Sequence, residues 1–380
     1  MEIEDLENYK VTHEEPVRGT YKGYEIVTMP PPSSGGLTML QILKMTELLN
    51  VTSFDVRSPE KYHYLAEAFR LAYADRGKYM GDPEHADIPA EGLLNDDYIK
   101  QRVETIKDDE ANANIEPGNP WDYQEGGPTA EGTVYDETEN GEDVDADRTE
   151  GETTHFTVAD RWGNMVSYTT TIEQVFGSGI MVDGYGFLLN NELTDFDAVP
   201  GGVNRVEANK RPLSSMTATI VLKDGKPYMT VGSPGGATII TSVMQTILNK
   251  IGYDMELKDA VEEPRIYTNA YPNIRWEIGV PSSARSLLER YGHVWESNPV
   301  DIGNVKALVI EDDPLTGEKI YYGAADSTRQ GTAIGIVDST ILADKLQEIE
   351  DAGLVEDEYT KESWAALQEA ITQAKAVLED

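Results

Sequence analysis

The residues best placed to do chemistry are two threonines, Thr153 and Thr154, at the start of the stretch TTHFTVADRWGNMVSYTTTI. A threonine hydroxyl becomes a nucleophile when a base removes its proton, and its own α-amino group can be that base once it is free. A free α-amine has a pKa of roughly 7.7–8.0, which suits proton transfer near neutral pH. Thr153 would gain this amine if its hydroxyl attacked the carbonyl of Glu152 and water then hydrolysed the resulting ester.

The same stretch has the pattern of a β-hairpin around the residues DRWGN. A three-residue loop at 161–163, with Gly163 in the left-handed conformation, fits that spacing. In the resulting register Thr153 lies opposite Thr171, so two hydroxyls meet at the open end of the hairpin. Threonine-rich strands are also ordinary β-sheet surface, so the hairpin by itself fits a structural role as well as a catalytic one.

An acid-rich segment precedes the hairpin. Residues 108–152 contain sixteen acidic residues and one arginine, with almost no apolar periodicity. Such a segment buries too little apolar surface to order itself, so we expect it to be disordered. Disorder before the Glu152–Thr153 bond would let the severed end move away after cleavage.

The composition argues against several classes of protein. A net charge of −38 does not suit the neutralisation of phosphates, so we expect no nucleic-acid binding, and the acidic surface suits salty or alkaline surroundings. No run of 18 apolar residues exists, so we expect no membrane span. The sequence has no cysteine, which excludes disulfides and cysteine-ligated zinc, and five scattered histidines predict no histidine-rich metal site.

Periodic stretches on both sides of the acidic segment predict a mixed α and β protein. We expect helices in LTMLQILKMTELL, in EKYHYLAEAFRLAYADRGKYM and in ATIITSVMQTILNKI. From residue 338 onward the sequence predicts two more helices, the second with an apolar stripe that needs a partner. Strand patterns cover residues 21–29, 153–160, 164–172, 217–223, 227–232 and 305–311.

The motif VGSPGG lies between a predicted strand and a predicted helix. A strand that ends in SPGG before a helix brings unpaired backbone N–H groups and the positive end of the helix dipole together. Donors in that position can stabilise a tetrahedral oxyanion. As a lone motif it is also typical of an ordinary turn from strand to helix.

Seven motifs, in this order and at these spacings, resemble the γ-glutamyltranspeptidase family: MPPPSSGG, AYADRGKYMGDP, TTHFTVAD, LLNNELTDFD, NKRPLSSM, VGSPGG and EEPR. The similarity covers about residues 1–337, and its detail resembles the enzymes of Bacillus-like bacteria. It implies an α+β fold, the four-layer αββα sandwich of N-terminal-nucleophile (Ntn) hydrolases, incomplete at its N-terminus. It also implies that neither a metal nor an organic cofactor is needed.

The resemblance implies a precursor that cuts itself between Glu152 and Thr153, and it assigns a role to each motif position. Position 173 is often asparagine in the family and is acidic here, as in the Bacillus-type enzymes. The resemblance implies that Thr153 is the nucleophile, that Thr171 hydrogen-bonds to it, and that the N–H groups of Gly235 and Gly236 form the oxyanion hole. It implies a substrate-binding role for Glu173, the α-ammonium site for Glu192 and Asp195, and the α-carboxylate site for Ser214 and Ser215.

The resemblance divides the chain into three parts: residues 1–152 from the large subunit, residues 153–337 as the small catalytic subunit, and residues 338–380. The last part resembles the opening helices of FIVAR repeats, helical modules of Gram-positive surface proteins. Family members are longer, so we expect a missing part before residue 1. That part carries the export signal and the arginine that pairs with the substrate α-carboxylate.

The segment TDFDAVPGGVNRVEANKRP has no room for the longer lid loop of other family members. Its shortness implies an open pocket able to accept bulky or polymeric γ-glutamyl chains. The resemblance thus implies an extracellular or cell-surface enzyme that takes γ-glutamyl donors such as glutathione and transfers the γ-glutamyl group to water or to an amine or peptide acceptor.

Two alternatives remain open at the level of the sequence. One is a related Ntn acylase that removes a glutaryl-like group, as in cephalosporin-type substrates. Such a substrate lacks an α-ammonium, which disagrees with the acidic residues Glu192 and Asp195. The other is a catalytically inactive fragment that acts as a surface-attached structural module through its helical tail.

Overall fold

The computed structural model describes residues 3–128, 152–198, 201–328, 331–335, 339–356 and 359–379. It divides into two compact units, Met1–Thr332 and Ala333–Asp380. The helices are α1 Ile3–Asn8, α2 Gly35–Leu48, α3 Pro59–Tyr79, α4 Ala90–Leu93, α5 Asp96–Val103, α6 Thr238–Ile247, α7 Leu257–Glu262, α8 Ser282–Tyr291, α9 Ser339–Asp351 and α10 Lys361–Glu379. The strands are β1 Val17–Tyr21, β2 Tyr24–Thr28, β3 Thr154–Ala159, β4 Met165–Thr170, β5 Thr219–Lys223, β6 Lys226–Gly232, β7 Ile266–Tyr267, β8 Asn273–Trp276, β9 Val294–Trp295, β10 Lys306–Asp312 and β11 Lys319–Ala325.

A six-stranded sheet with the order β1-β2-β5-β6-β10-β11 forms the centre of the first unit. Every neighbouring pair in it is antiparallel. Strands far apart in sequence are adjacent in this sheet, since β2 pairs with β5 across the whole segment that contains α2, α3 and the β3–β4 hairpin. Strands β7, β8 and β9 form a separate small sheet that shares no strand with the central one.

Residues 21–29 form a turn and a strand, and the prediction of one continuous strand there is wrong. β1 ends at Tyr21, and β2 begins at Tyr24. Lys22 and Gly23 between them have φ angles of +48° and +82°. Two successive positive φ values match the right-handed twist of a two-residue hairpin, which the alternation of apolar residues does not reveal.

Apolar helices cover one face of the central sheet. Side chains of α2, α3 and α6 join Ile26, Val221, Val231 and Val309 in one buried core. α3 begins with Pro59 after Ser58, whose hydroxyl accepts a hydrogen bond from the N–H of Lys61 at 3.2 Å. This N-cap satisfies one of the free N–H groups at the start of the helix and fixes where it begins.

The β3–β4 hairpin lies against β5, β6 and β10. Because side chains alternate along a strand, Gly232 faces away from the helices that cover Val231. An added Cβ at Gly232 would lie 2.2 Å from the ring of His155 on β3, which places the hairpin on this second face. The first unit therefore contains a helical layer, a sheet and a hairpin on the opposite side of that sheet.

The first part of the acid-rich segment is ordered, contrary to the sequence prediction of disorder over 108–152. Asp108 accepts a hydrogen bond from the hydroxyl of Tyr64 at 2.8 Å, and Gly118 donates from its N–H to Asp75 at 2.8 Å. These hydrogen bonds, together with the packing of Ile115 and Trp121 against buried clusters, hold this part of the segment in place although it lacks apolar periodicity. Residues 129–151 lie outside the described residues.

The second unit is a pair of helices, α9 and α10, which contact each other. Leu346 on α9 is buried, and Lys375 on α10 pairs with Glu350 on α9 at 2.9 Å. Tyr359 stacks on Trp364 with ring centroids 5.8 Å apart. Across the described residues of both units, no helix combines the length and the apolar character that a membrane span requires.

Candidate active site

The hairpin register places two threonine hydroxyls in contact. Backbone pairing runs from Thr154 opposite Thr170 to Ala159 opposite Met165, without a bulge. Gly163 in the loop has a φ of +90°, as the loop type requires. One residue outside the Thr154–Thr170 pair, at the open end of the hairpin, the hydroxyl of Thr153 donates to Oγ1 of Thr171 at 3.2 Å. The predicted register is confirmed.

Glu173 forms hydrogen bonds both to Thr171 and to Glu152, the residue before Thr153. Its backbone N–H donates to Oγ1 of Thr171 at 2.8 Å, and its carbonyl accepts from the N–H of Glu152 at 3.1 Å. Its side-chain Oε2 accepts from the amide of Asn191 at 2.7 Å. The φ of Glu173 is +74°, a left-handed value that L-residues seldom adopt.

His155 fixes the hairpin to the central sheet, a role that the sequence motifs did not indicate. Its Nδ1 lies 2.8 Å from Oγ1 of Thr169, and its ring occupies the space that a side chain on Gly232 would need. Burial lowers the pKa of His155 to about 4, with a smaller contribution from the charge of Lys306. A neutral imidazole therefore lies two residues from Thr153, on the strand that begins directly after it.

The start of α6 brings the SPGG glycines to the same region. Gly235 and Gly236 have φ angles of +134° and +56°, and the helix begins two residues later at Thr238. The carbonyl of Gly235 accepts from the Thr238 hydroxyl at 2.8 Å and from the Thr238 N–H at 3.1 Å. A Cβ at Gly235 would lie 2.6 Å from that hydroxyl oxygen, so the tight turn requires glycine.

Two buried charges position the segment RPLSSM. Asp82 accepts from the backbone N–H of Arg211 and from its guanidinium, both at 2.8 Å. Burial alone would raise the pKa of Asp82, but these hydrogen bonds hold it below its usual value. At the other end of the segment, the guanidinium of Arg76 donates to Ser34 at 2.8 Å and to Ser215 at 2.9 Å.

Most of the sequence-predicted site residues line one open cavity. Three of them, Glu173, Glu192 and Asp195, are acidic, and the described lining includes neither lysine nor arginine. A cation is the ligand that such a group of carboxylates favours. Gly235 is not among the lining residues, whereas Met216 and Ile239, which the motifs did not indicate, are. The predicted residues that line the cavity are Thr153, Thr171, Glu173, Glu192, Asp195, Ser214, Ser215 and Gly236.

This geometry can be compared with known proteins. A protein-family model described as Gamma-glutamyltranspeptidase matches residues 1–336. The chain belongs to the γ-glutamyltranspeptidase family. The predicted resemblance is therefore confirmed.

Two curated relatives place the chain within the γ-glutamyltranspeptidase family more narrowly. It is 57% identical over 336 residues to the glutathione hydrolase proenzyme of Bacillus subtilis strain 168, covering 88% of this chain and 55% of that protein. It is 55% identical over 336 residues to the protein of the same name from Bacillus subtilis subsp. natto, with the same coverage. The chain spans about half the length of these relatives.

A solved structure supports the fold class. The cephalosporin acylase from Bacillus halodurans matches with a TM-score of 0.70 and 25% sequence identity, over 88% of this chain and 55% of that chain. Together with the sheets and helices described above, this likeness confirms the predicted α+β fold of the Ntn-hydrolase type. The roles assigned to individual site residues and the domain boundaries at residues 152 and 337 stay predictions.

Proposed function

We propose that this chain is the catalytic part of a γ-glutamyl hydrolase and transferase that cuts itself between Glu152 and Thr153. The observation that carries the proposal is the contact between the Thr153 and Thr171 hydroxyls in a cavity with acidic residues and a pair of serines. Family membership supports the reaction class. The names of the Bacillus relatives describe proenzymes, which agrees with a chain that matures by cleavage.

The first reaction would be self-cleavage. The Thr153 hydroxyl attacks the carbonyl carbon of Glu152, a C–O bond forms, and the C–N bond breaks as the amine nitrogen takes the hydroxyl proton. Water then hydrolyses the ester, which releases the Glu152 carboxyl group and restores the hydroxyl. Thr171 would hold the attacking oxygen through the 3.2 Å hydrogen bond.

The second reaction would use the amine that cleavage creates. The α-amino group of Thr153 takes the hydroxyl proton, and the oxygen attacks the γ-amide carbonyl of the donor. Backbone N–H groups of Gly235 and Gly236 at the start of α6 would stabilise the oxyanion. The leaving amine takes the proton, and water or an acceptor amine then removes the γ-glutamyl group from Thr153.

Two sets of cavity residues would recognise the charged groups on the α-carbon of the donor. Glu173, Glu192 and Asp195 would hold its α-ammonium, because three carboxylates create a site for a cation. Ser214 and Ser215 would donate to its α-carboxylate. The donors would be small γ-glutamyl compounds such as glutathione or polymeric γ-glutamyl chains, and the acceptors would be amines or peptides.

The parts of the chain would serve this reaction in different ways. Residues 1–152 would belong to the large subunit and residues 153–337 to the small one, both from one precursor. Residues 338–380 would be a FIVAR-like helical module. The protein would act outside the cell or on the cell surface, as the resemblance to the γ-glutamyltranspeptidase family and to FIVAR modules implies.

A related acylase activity is the competing possibility, and the same cavity argues against it. A glutaryl group has no α-ammonium, so it would place no cation beside the three carboxylates. Turnover of γ-glutamyl and glutaryl anilides should be compared. We expect the γ-glutamyl compound to be preferred by at least tenfold, and a preference for the glutaryl compound would contradict the proposal.

Self-cleavage is tested with the purified full chain. We expect a denaturing gel to show two fragments after incubation, with Thr153 at the start of the smaller one by mass spectrometry. Thr153→Ala should abolish both cleavage and turnover, whereas the matched control Thr154→Ala should still be cut. An intact chain after long incubation, or normal cleavage of Thr153→Ala, would contradict the proposal.

A further inference from the structure

Glu173 has an unusual backbone conformation beside the proposed cleavage bond. Its φ of +74° lies in the left-handed region, which is unfavourable for an L-residue with a β-carbon. Such conformations persist only where the surroundings enforce them, and they are concentrated at functional sites. The contacts that hold Glu173 in this conformation are therefore candidates for a functional role.

The two polar backbone atoms of Glu173 reach both sides of the Glu152–Thr153 bond. Its N–H donates to Oγ1 of Thr171, the same oxygen that accepts from the Thr153 hydroxyl. Its carbonyl accepts from the N–H of Glu152, the residue whose carbonyl carbon would be attacked. One residue thus holds the nucleophile through Thr171 and holds the electrophile directly.

The left-handed conformation is what allows both contacts at once. The φ and ψ angles of a residue set the direction of its N–H relative to its C=O. Thr171 is fixed just beyond the end of β4, and Glu152 is fixed just before β3. Rotation of Glu173 into the extended or right-handed region would therefore move at least one of the two groups away from its partner.

Asn191 holds this conformation from a distant part of the chain. Its N–H donates to the carbonyl of Ile172 at 3.3 Å, and its Oδ1 accepts from the N–H of Gln174 at 3.1 Å. Its Nδ2 donates to Oε2 of Glu173 at 2.7 Å. Contacts to three consecutive residues make Asn191 a clamp around the left-handed position.

We propose that Glu173 is a positioning residue for self-cleavage and that it acts through its left-handed backbone, held by Asn191, and not through its carboxylate. The proposal rests on the proposed function, because it concerns the Glu152–Thr153 bond. Positioning for self-cleavage would thus depend on the Glu173 backbone, whereas binding of a substrate α-ammonium would depend on its carboxylate.

The test uses two substitutions that both remove the carboxylate. Glu173→Gly accepts a positive φ without strain, whereas Glu173→Ala does not. The full chain is incubated after purification, and the fraction of intact chain is followed over time on denaturing gels. We expect Glu173→Ala to cleave at least fivefold more slowly than Glu173→Gly.

Two further variants complete the series. Glu173→Asn should cleave near the glycine rate, because asparagine tolerates the left-handed region, and Glu173→Ile should be the slowest, because it is β-branched. Circular dichroism melting curves check that each variant is folded. Should Glu173→Ile fail to fold, the comparison of glycine with alanine decides alone.

The outcomes distinguish this inference from the proposed function. Equal cleavage rates for Glu173→Gly and Glu173→Ala would overturn the backbone role while leaving self-cleavage intact. A Glu173→Gly variant that stays uncut while wild-type chain is cut would assign the role to the carboxylate and would also overturn it. A wild-type chain that is never cut would overturn both proposals together.

Discussion

Arg76 on α3 donates a hydrogen bond to Oγ of Ser215 at 2.9 Å, across 139 residues of sequence. Both side chains are buried, and a second guanidinium nitrogen donates to Ser34. Because the Ser215 oxygen accepts from Arg76, its own hydroxyl proton stays available to donate to a ligand in the cavity that Ser215 lines. The resemblance assigned an arginine of the α-carboxylate site to a region before residue 1. Arg76 is a different arginine, and its described contact with this site is the hydrogen bond to Ser215.

Replacement of Arg76 should therefore weaken donor binding. Arg76→Met removes the hydrogen bond that orients Ser215, and a hydrogen bond from a charged group contributes about 1.5–3 kcal/mol. If that contribution is lost from donor binding, the KM for a γ-glutamyl anilide should rise roughly 10- to 100-fold. The effect on kcat should be smaller, because Arg76 does not contact Thr153 in the described structure. Lys100→Met, an exposed site on α5, is the control. An unchanged KM in folded Arg76→Met would contradict this role.

The acidic residues of the cavity should govern recognition of the α-ammonium. Glu192→Gln and Asp195→Asn each remove one negative charge while keeping the shape of the side chain. Each should raise the KM for a γ-glutamyl anilide about tenfold or more, since a bond between charged groups is lost. The KM for a glutaryl anilide, which lacks the ammonium, is the internal control and should not rise. Parallel increases for both substrates would show that the carboxylates do not recognise that group.

Gly235→Ala should damage both stability and catalysis. Its φ of +134° and the Thr238 hydroxyl 2.6 Å from an added Cβ leave no unstrained position for a methyl group. Gly225 is the matched control, because its φ is +76° and nothing lies within 4 Å of an added Cβ. Gly225→Ala should lose about 1 kcal/mol of stability with normal kcat.

If the Gly235 N–H group belongs to the oxyanion hole, Gly235→Ala should lower kcat by about 100-fold or more. Urea unfolding and steady-state kinetics on both variants separate the two effects. A loss of stability equal to that of Gly225→Ala, with normal kcat, would contradict the assignment.

His155 should make the stability of the first unit fall in mild acid. Burial lowers the pKa of His155 to about 4, whereas the unfolded value is about 6.5. The folded state thus binds fewer protons than the unfolded state between these values. The stability that the neutral ring contributes is present above pH 6.5 and is lost as pH falls toward 4.

Between pH 7 and pH 5, which stays above the isoelectric point near 4.3, this loss amounts to roughly 2 kcal/mol. Urea unfolding at the two pH values should show that the loss in wild-type chain exceeds the loss in His155→Gln by about this amount, because the other buried titratable groups are common to both chains. His13→Gln, at an exposed position, is the matched control and should keep the pH dependence of the wild-type chain. Identical pH dependence in wild-type and His155→Gln chains would contradict the expectation.

The sequence by itself determined the parts of the molecule that depend on local chemistry. The loop at 161–163 and the alternation of the flanking strands were enough to place Thr153 opposite Thr171, because a hairpin register follows from the length and type of its loop. The main helices followed from their apolar periodicity. The turn at Lys22 and Gly23 was missed, because apolar residues continue on both sides of it and the positive φ at both residues is not visible in the pattern.

The tertiary structure alone decided which distant groups meet. Arg76 and Ser215, His155 and Gly232, and the Asn191 clamp around Glu173 each join segments whose separate patterns carry no sign of their partner. The order of residues 108–128 has the same origin, since Tyr64 and Asp75 on α3 supply the contacts that an acidic segment cannot supply for itself. Periodicity and turn chemistry act over a few residues, whereas these contacts exist only once β2 has paired with β5 and the helices have packed on the sheet.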